Sequence, residues 1–485
     1  MPFATLRTRM SAPVIPRLTS HRLTPAAASR IVWTLFAIGL AIALLMLARS
    51  QVAGDQLNLL ARGWLLAAKG HWISYGNPLS TGGKAPGGIT SLLVGLPLFL
   101  WRDHRAASAL VLLFHALAYL ILDGTLKRIL SPHERVLLAL LYWLNPWQLY
   151  FASFLWNPNY LFLAGAIHLW SALVQRERAR FWPSFLHAAG LGLAFQIHPS
   201  CLLLAVASLL LWWRRYFRVH WTGGFLGGLV AAIPLVPWAI EVTAHPAIVT
   251  EASKGFLGRG LILVFPLARG LLYWLRYASL SVAERIGDFN FSDLLGSDPW
   301  LGPGLTRLGQ ALGVTLVIPL LANLYLWRRR GRRKPWFQWL WGRKLAPGTT
   351  GRSWLAGYAR VCFAAAVIVY ALSPTTVMMW QGLILLHAAI LPVILWAGAL
   401  SRSRLAPRIL TATRIYTVAA IVFLVTMALG GSQYRCGGHT GKDGFGFNLR
   451  YDSPMFRELH IQQTCPWPVN VPGGWWPDVL PRPGE

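Results

Sequence analysis

The sequence predicts an all-α, polytopic integral membrane protein with about eleven transmembrane helices, and three observations carry that prediction. Apolar runs of about 20 residues recur along the chain, the length a helix needs to cross a hydrocarbon core of about 30 Å. Of the 485 residues, 55% are hydrophobic and only 13% are charged, with 25 tryptophans. The formal net charge of +29 sits largely in short Lys/Arg clusters between the apolar runs, which is the positive-inside pattern. That distribution argues against reading the charge as a nucleic-acid footprint.

Residues 1–30 carry Arg7, Arg9, Arg17, Arg22 and Arg30 without an acid, which keeps the N-terminus cytoplasmic. Residues 31–48 form the first span. It ends at Arg49 with no small-residue cleavage site and is read as a signal anchor rather than a signal peptide. The external loop 50–105 follows. Within it Leu57, Leu60, Ala61, Trp64, Leu65 and Ala68 recur at helical spacing, predicting an amphipathic helix with Asp55 in its first turn. Residues 89–101 are apolar but short for a span, and Arg102-Asp103-His104-Arg105 follows. If this segment crosses, every later orientation inverts. Laid on the surface, it makes 106–122 the second span. It then sorts Lys127-Arg128, Arg176, Arg178, Arg180, Arg214, Arg215, Arg218 and the basic residues of 328–334, 343–344 and 402–414 to the cytoplasm. The surface placement is adopted for that reason.

The remaining spans are 134–151, 160–175, 184–199, 201–213, 220–241, 306–327, 355–373, 382–400 and 411–430, leaving the C-terminus outside. The short pair 184–199 and 201–213 shares the His198-Pro199 turn and reads as an outward hairpin. Residues 1–430 are thus one transmembrane domain, and 431–485 an external Gly/Pro/Trp-rich tail. External loop 243–304 holds Glu251, Glu284, Asp288, Asp293 and Asp298, with an apolar stretch at 261–280 lying along the membrane. Cytoplasmic loop 328–354 is basic and carries Trp336, Trp339 and Trp341, the composition of an anchor on anionic lipid. No internal repeat is visible. Cys201 and Cys362 lie in apolar runs as packing residues. Cys436 and Cys465 bracket a polar tail segment and can pair if the tail is outside, a closure worth about 3–4 kcal/mol.

Asp55 is the first acid of the chain, and none follows until Asp103. An acid where a span ends is either a helix-start residue favoured by the dipole or a functional group held at the membrane surface. The segments Gly54-Asp55-Gln56, Ala61-Arg62-Gly63 and Lys84-Ala85-Pro86 together resemble the GT-C glycosyltransferases, in the protein mannosyltransferase and aminoarabinose transferase branch that uses polyprenyl-phosphate sugars. Gln56 stands where many relatives carry a second acid, and Lys84-Ala85-Pro86 has one of the usual two prolines. The resemblance implies a GT-C-like fold with external amphipathic juxtamembrane helices in a cell inner (plasma) membrane. It also implies a polyprenyl-phosphate sugar donor, a lipid, glycan or protein acceptor, and inversion at the anomeric carbon. Asp55 would be the general base.

Transfer to a hydroxyl needs a carboxylate for the acceptor proton and donors that steady the departing phosphate. A solvated Asp is a weak base, so Asp55 requires a desolvating environment. Lys84 and Arg62 are the nearest cations in sequence. Lys84 lies in Gly82-Gly83-Lys84-Ala85-Pro86-Gly87-Gly88, which is not a P-loop. Asn157 and Asn159, in Leu155-Trp156-Asn157-Pro158-Asn159, stand where relatives often carry an acid; as amides they can orient a hydroxyl, or simply cap the turn. His198, in Phe195-Gln196-Ile197-His198-Pro199, is placed where the family puts a phosphate contact, although His115, His168, His187 and His387 also fall in spans. Arg269 and Arg276 share a helical face that could bind donor phosphate or lipid headgroups. No HExxH or paired CxxC is present. A divalent cation at Asp288, Asp293 and Asp298 is the one cofactor left open, and solvated loop charges explain those residues as well. Two rivals remain: a flippase or transporter of a lipid-linked glycan, which would favour repeated halves, and a ligase-type GT-C enzyme, which would rely on external Arg and His rather than Asp.

Overall fold

The computed structural model describes residues 23–50, 52, 55–78, 83–246, 264–283, 286–331, 348–431, 454–459, 461 and 478–480. Cys436 and Cys465, the loop tryptophans 336, 339 and 341, and Glu251 and Glu284 lie outside them. Among the described residues the chain is helical apart from turns and two isolated bridges, Pro78 with Lys84 and Phe289 with Gly431. Among the described residues seven stretches are long and apolar enough to cross a membrane: Pro25–Arg49, His104–Leu126, Trp221–Ala244, Leu301–Arg328, Gly351–Ala371, Leu383–Leu400 and Ala406–Gly430. Each overlaps a run predicted from hydropathy. The other four predicted runs are helical but shorter or interrupted.

Local chemistry sets the boundaries. α1 (Pro25–Arg49) starts where the Thr24 hydroxyl accepts from the Ala27 N–H at 3.2 Å, with Pro25 at the first helical position. α2 (Asp55–Lys69) and α3 (Ile89–Leu100) pack closely, a Cβ on Gly63 being blocked by Val94. Asp103 caps α4 (His104–Leu126) by accepting from the Arg105 N–H at 2.8 Å. The predicted run 134–151 is not one helix. It consists of α5 (Pro132–Leu138), a π-turn at Ala139–Trp143, and α6 (Pro146–Ala152). Pro146 has no N–H to continue the ladder. Asn145 restarts the helix, accepting from the Trp147 N–H at 2.9 Å while its amide donates to the carbonyls of Leu141 and Tyr277. Leu161–Val174 (α7), Phe181–Ile197 (α8) and Leu202–Trp213 (α9) follow, then α10 (Trp221–Ala232) and α11 (Val236–Ala244). Gly223 and Gly227 let α10 lie directly on the backbone of α8 at Phe181 and Phe185, the small-residue spacing that brings membrane helices together. The amphipathic segment is α12 (Val264–Arg276), with Pro266, Gly270, Tyr273 and Trp274 buried on one face. Leu301–Ala311 (α13), Val317–Gly331 (α14), Gly351–Ala371 (α15), Leu386–Leu400 (α16) and Ala406–Gly430 (α17) complete the bundle, and Pro454–Glu458 (α18) belongs to the tail.

Contacts divide the inter-helix turns into two groups. At one end Trp156 reaches Asp55, Gly87 abuts Gln196, and the Tyr277 hydroxyl donates to the Met379 carbonyl at 2.7 Å. At the other, Arg135 pairs with Asp123 at 2.6 Å, Arg352 and Arg402 converge on Glu134, and the Arg218 N–H donates to the Gln175 carbonyl at 3.0 Å. Both ends of α3 stay in the layer of α2. Arg102 shares Glu458 with the Trp64 indole, and the Gly88 carbonyl accepts from Trp72. At about 18 Å, its 12 residues are shorter than the hydrocarbon core.

Between the two ends runs a buried polar chain. His387 Nε2 lies 2.8 Å from the Tyr358 hydroxyl, which is 2.7 Å from His168 Nδ1. His168 Nε2 and His187 Nε2 both reach Ser208 Oγ, at 3.0 and 2.9 Å, and His187 Nδ1 reaches Ser171 Oγ at 2.7 Å. These histidines are therefore satisfied by protein partners inside the apolar bundle, as groups without water must be.

Candidate active site

Asp55 is the first residue of α2 and is half-buried. Its position follows from the helix itself: Leu57, Leu60, Ala61 and Trp64 are buried and fix the rotation of α2. The Trp156 indole donates to Asp55 Oδ2 at 3.1 Å, and the Asn77 amide donates to the Asp55 backbone carbonyl at 3.2 Å. No partner meets Oδ1 among the described residues. Desolvation pushes the carboxyl above its ordinary value of 3.8, against the opposing pull of the Trp156 N–H and the Arg62 charge. The carboxylate thus has the desolvated setting that a base requires.

Arg62 and Lys84 flank the same loop but differ in what they have left to offer. Arg62 is fully buried. Its guanidinium donates to the Asn58 carbonyl at 3.0 Å, the Gly76 carbonyl at 3.2 Å, the Tyr75 carbonyl at 3.4 Å and Asp478 Oδ2 at 2.9 Å. Every nitrogen is engaged, so Arg62 shapes the 75–77 turn. Lys84 lies over the Tyr75 ring, 3.8 Å from its centroid, and 3.6 Å from Asp478 Oδ2. Its side chain keeps 29% exposure, leaving directions open to a ligand. The backbone N–H of Asp478, from the tail, also donates to Asn58 Oδ1 at 3.2 Å.

The Asn157–Tyr160 turn brings the next predicted residues to this end. Asn159 donates to the Phe154 carbonyl at 2.6 Å, and its backbone carbonyl lies 2.8 Å from His115 Nε2. The Oδ1 atoms of Asn157 and Asn159 are buried and have no hydrogen-bond partner among the described residues, which leaves two acceptors at this turn. Trp156 meets Trp380 edge-on at 4.7 Å between centroids, and Met379 beside it holds Tyr277 at the end of α12.

His198 closes α8 and caps the 3-10 turn Pro199–Cys201. Its Nδ1 accepts from the Ser200 N–H at 3.2 Å, so the neutral ring carries its proton on Nε2. The glycine-rich loop packs on the same hairpin. Gly87, in the left-handed region at φ 83°, leaves room for the Gln196 side chain, which any Cβ there would strike. The Gly88 N–H donates to the Pro234 carbonyl at 3.3 Å. The Lys84 loop and the His198 turn are therefore neighbours.

Arg269 stands apart from these contacts. Arg269 and Arg276 both lie over Tyr273, 5.8 and 5.7 Å from its ring centroid, so they do share one face of α12. Among the described residues no group of three His, Cys, Asp or Glu could hold a metal ion. Asp298 instead accepts the Phe291 N–H at 2.9 Å.

Three contributors escaped sequence reasoning. Trp156 lies inside a segment singled out for its asparagines, and an indole beside them at a turn was the available signal. Asn77 and Asp478 had none, since neither belongs to a periodic or motif-bearing stretch.

No family model matches the chain, and no curated protein matches it. Among solved structures it is similar to ArnT from Cupriavidus metallidurans bound to undecaprenyl phosphate, with 16% identity, a TM-score of 0.44, and coverage of 84% of this chain and 78% of that one. The apo state of the same protein gives 16% identity and a TM-score of 0.43 over the same shares.

Proposed function

We propose that the protein is a GT-C-type glycosyltransferase that moves a sugar from a polyprenyl phosphate to a hydroxyl of a lipid, glycan or protein at the external membrane face. The observation that carries this reading is Asp55: a half-buried carboxylate at a helix start, one oxygen held by Trp156, the other without a partner among the described residues. Such a group can take a proton that a solvated aspartate would leave on a hydroxyl. The sequence resemblance around Asp55, Arg62 and Lys84 supports the same chemistry.

In the proposed reaction the acceptor hydroxyl gives its proton to Asp55 as its oxygen bonds to the anomeric carbon. The bond from that carbon to the phosphate oxygen breaks with its electron pair remaining on the phosphate, and inversion follows from attack opposite the leaving group. Lys84 supplies positive charge to the departing phosphate, and the His198 Nε2–H supplies a neutral donor. The unpartnered Oδ1 atoms of Asn157 and Asn159 orient the acceptor hydroxyl. Arg62 holds the loop that carries Lys84. Arg269 would meet lipid or donor phosphate further along the surface. The N-terminus is cytoplasmic and the tail external in this reading.

The test compares the purified protein with Asp55→Asn in liposomes, given radiolabelled polyprenyl-phosphate sugars and a membrane acceptor extract. Transfer that is lost in the variant with donor binding retained is the expected result. Movement of intact donor across the bilayer without transfer would replace the enzyme by a flippase.

A further inference from the structure

At the end of the bundle away from Asp55 lies a cavity of about 580 Å³ lined by Arg176, Glu177, Arg215, Arg218, Trp212 and Trp221, among others. Its place follows from the helices. α7 leaves the Asn157 turn and delivers Gln175 and Arg176 about 21 Å away, and α9 leaves the His198 turn and ends at Trp213. The Arg218 N–H on the Gln175 carbonyl ties the two helix ends together, and the Trp354 indole donates to the Tyr216 carbonyl at 2.9 Å.

The charge in the cavity is not balanced. Glu177 pairs with its neighbour Arg176 at 2.9 Å. Arg215 and Arg218 are exposed and make no ion pair among the described residues. Arg215 is also the one described non-glycine residue with positive φ, at 60°. An L-residue with a Cβ disfavours that region, yet the following Tyr216 and Phe217 are buried and fix the turn. Strain kept at a charged residue that faces a cavity is a pointer to function. The mouth is flanked by Trp212 and Trp221, 46% and 71% exposed and edge to face at 6.4 Å. Exposed indoles of this kind sit at headgroup depth. Beyond them the outer faces of α9 and α10 present Leu209 and Phe225 to the surroundings.

We infer that this cavity binds a phosphate-ester ligand, the headgroup of a membrane lipid, with Arg215 and Arg218 donating to the phosphate oxygens and the acyl chain lying past Trp212 and Trp221. Guanidinium forks match phosphate geometry. The inference shares no residue with the transferase site and stands or falls separately.

The experiment places the full chain in phosphatidylcholine nanodiscs and measures binding of fluorescent phosphatidic acid. Arg215→Gln with Arg218→Gln should weaken binding at least about tenfold, the loss expected for charge-assisted hydrogen bonds. Arg178→Gln with Arg180→Gln, whose residues do not line the cavity, should leave it unchanged. Arg215→Gly, which accepts the positive φ, keeps the fold while removing one guanidinium and should weaken binding by itself. Unchanged binding in the cavity variants, or an equal loss in the control pair, overturns the inference. Glycerol phosphate and inorganic phosphate are run as competitors. Failure to displace the lipid supports the headgroup assignment, and displacement at lipid-like affinity overturns it in favour of a soluble phosphate ester.

Discussion

Asp55 and Glu134 both lie near the start of a helix, at opposite ends of the bundle, and the fold treats them in opposite ways. Glu134 is fully buried and saturated. It accepts from the Ser131 N–H at 2.9 Å and from Arg352 Nη1 at 2.7 Å, pairs with Arg352 Nη2, and has Arg402 at 3.7 Å. Asp55 is partly buried, with one indole N–H and a more distant guanidinium for support. A carboxylate that is surrounded by cations stays ionised and inert, and one that is desolvated but under-supplied gains basicity. The first arrangement holds a structure together; the second is suited to chemistry.

The comparison breaks most visibly at Asp55 itself. Asp55→Asn keeps the shape and, through its amide oxygen, an acceptor for the Trp156 indole, but cannot take a proton, so transfer should fall by about 10²–10⁴-fold, the range for removing a general base. Thermal unfolding should be little changed, as checked beside the transfer assay. Glu134→Ala should do the reverse. Arg352 is partly exposed, so losing its charge-assisted hydrogen bonds to Glu134 should cost about 1–3 kcal/mol, seen as a drop in unfolding temperature, while the turnover of the molecules still folded is retained.

Two smaller effects sharpen the contrast. Asp478→Asn removes the acid shared by Arg62 and Lys84. Loss of a charge-assisted hydrogen bond to Arg62 should cost about 1–2 kcal/mol in unfolding experiments. With the competing anion gone from Lys84, the donor should bind more tightly in a titration, whereas Lys84→Gln should weaken it. Trp156→Phe should produce the subtlest change. In the proposed reaction Asp55 works ionised, so the rate should rise with pH through its raised value, placing the acid limb above 3.8. The indole N–H favours the ionised form, so its removal moves that limb to still higher pH. A pH–rate profile that leaves the limb in place would detach Trp156 from the base.

Much of this was legible in the chain. Apolar runs of about 20 residues are set by bilayer thickness, so hydropathy overlapped each of the seven long helices, although Pro25–Arg49, Leu301–Arg328 and Ala406–Gly430 begin five or six residues before the predicted runs. It missed the break at 139–146, because the run stays apolar across it and Asn145-Pro146 is the sole interruption. Asp55 stood out because acids are scarce there. Arg62 shows the limit of such reasoning. As a lone cation near the motif it reads as a phosphate ligand, yet three backbone carbonyls and a tail carboxylate claim its donors. Asp478 lies more than 400 residues from its partner, and no local periodicity encodes a contact of that range.

The chain of His387, Tyr358, His168, Ser208, His187 and Ser171 has a mechanical consequence. It stitches α7, α8, α9, α15 and α16 side by side. Sliding any one of them by a turn would strand several of these groups where no water waits to replace the lost partner. Those five helices therefore behave as a stator. If the molecule must open sideways to admit a long hydrocarbon tail, the yielding panels are the largely exposed Leu301–Arg328 and Ala406–Gly430, which can tilt against lipid without breaking a single bond of that spine, whereas Trp221–Ala232 is held on α8 by Gly223 and Gly227.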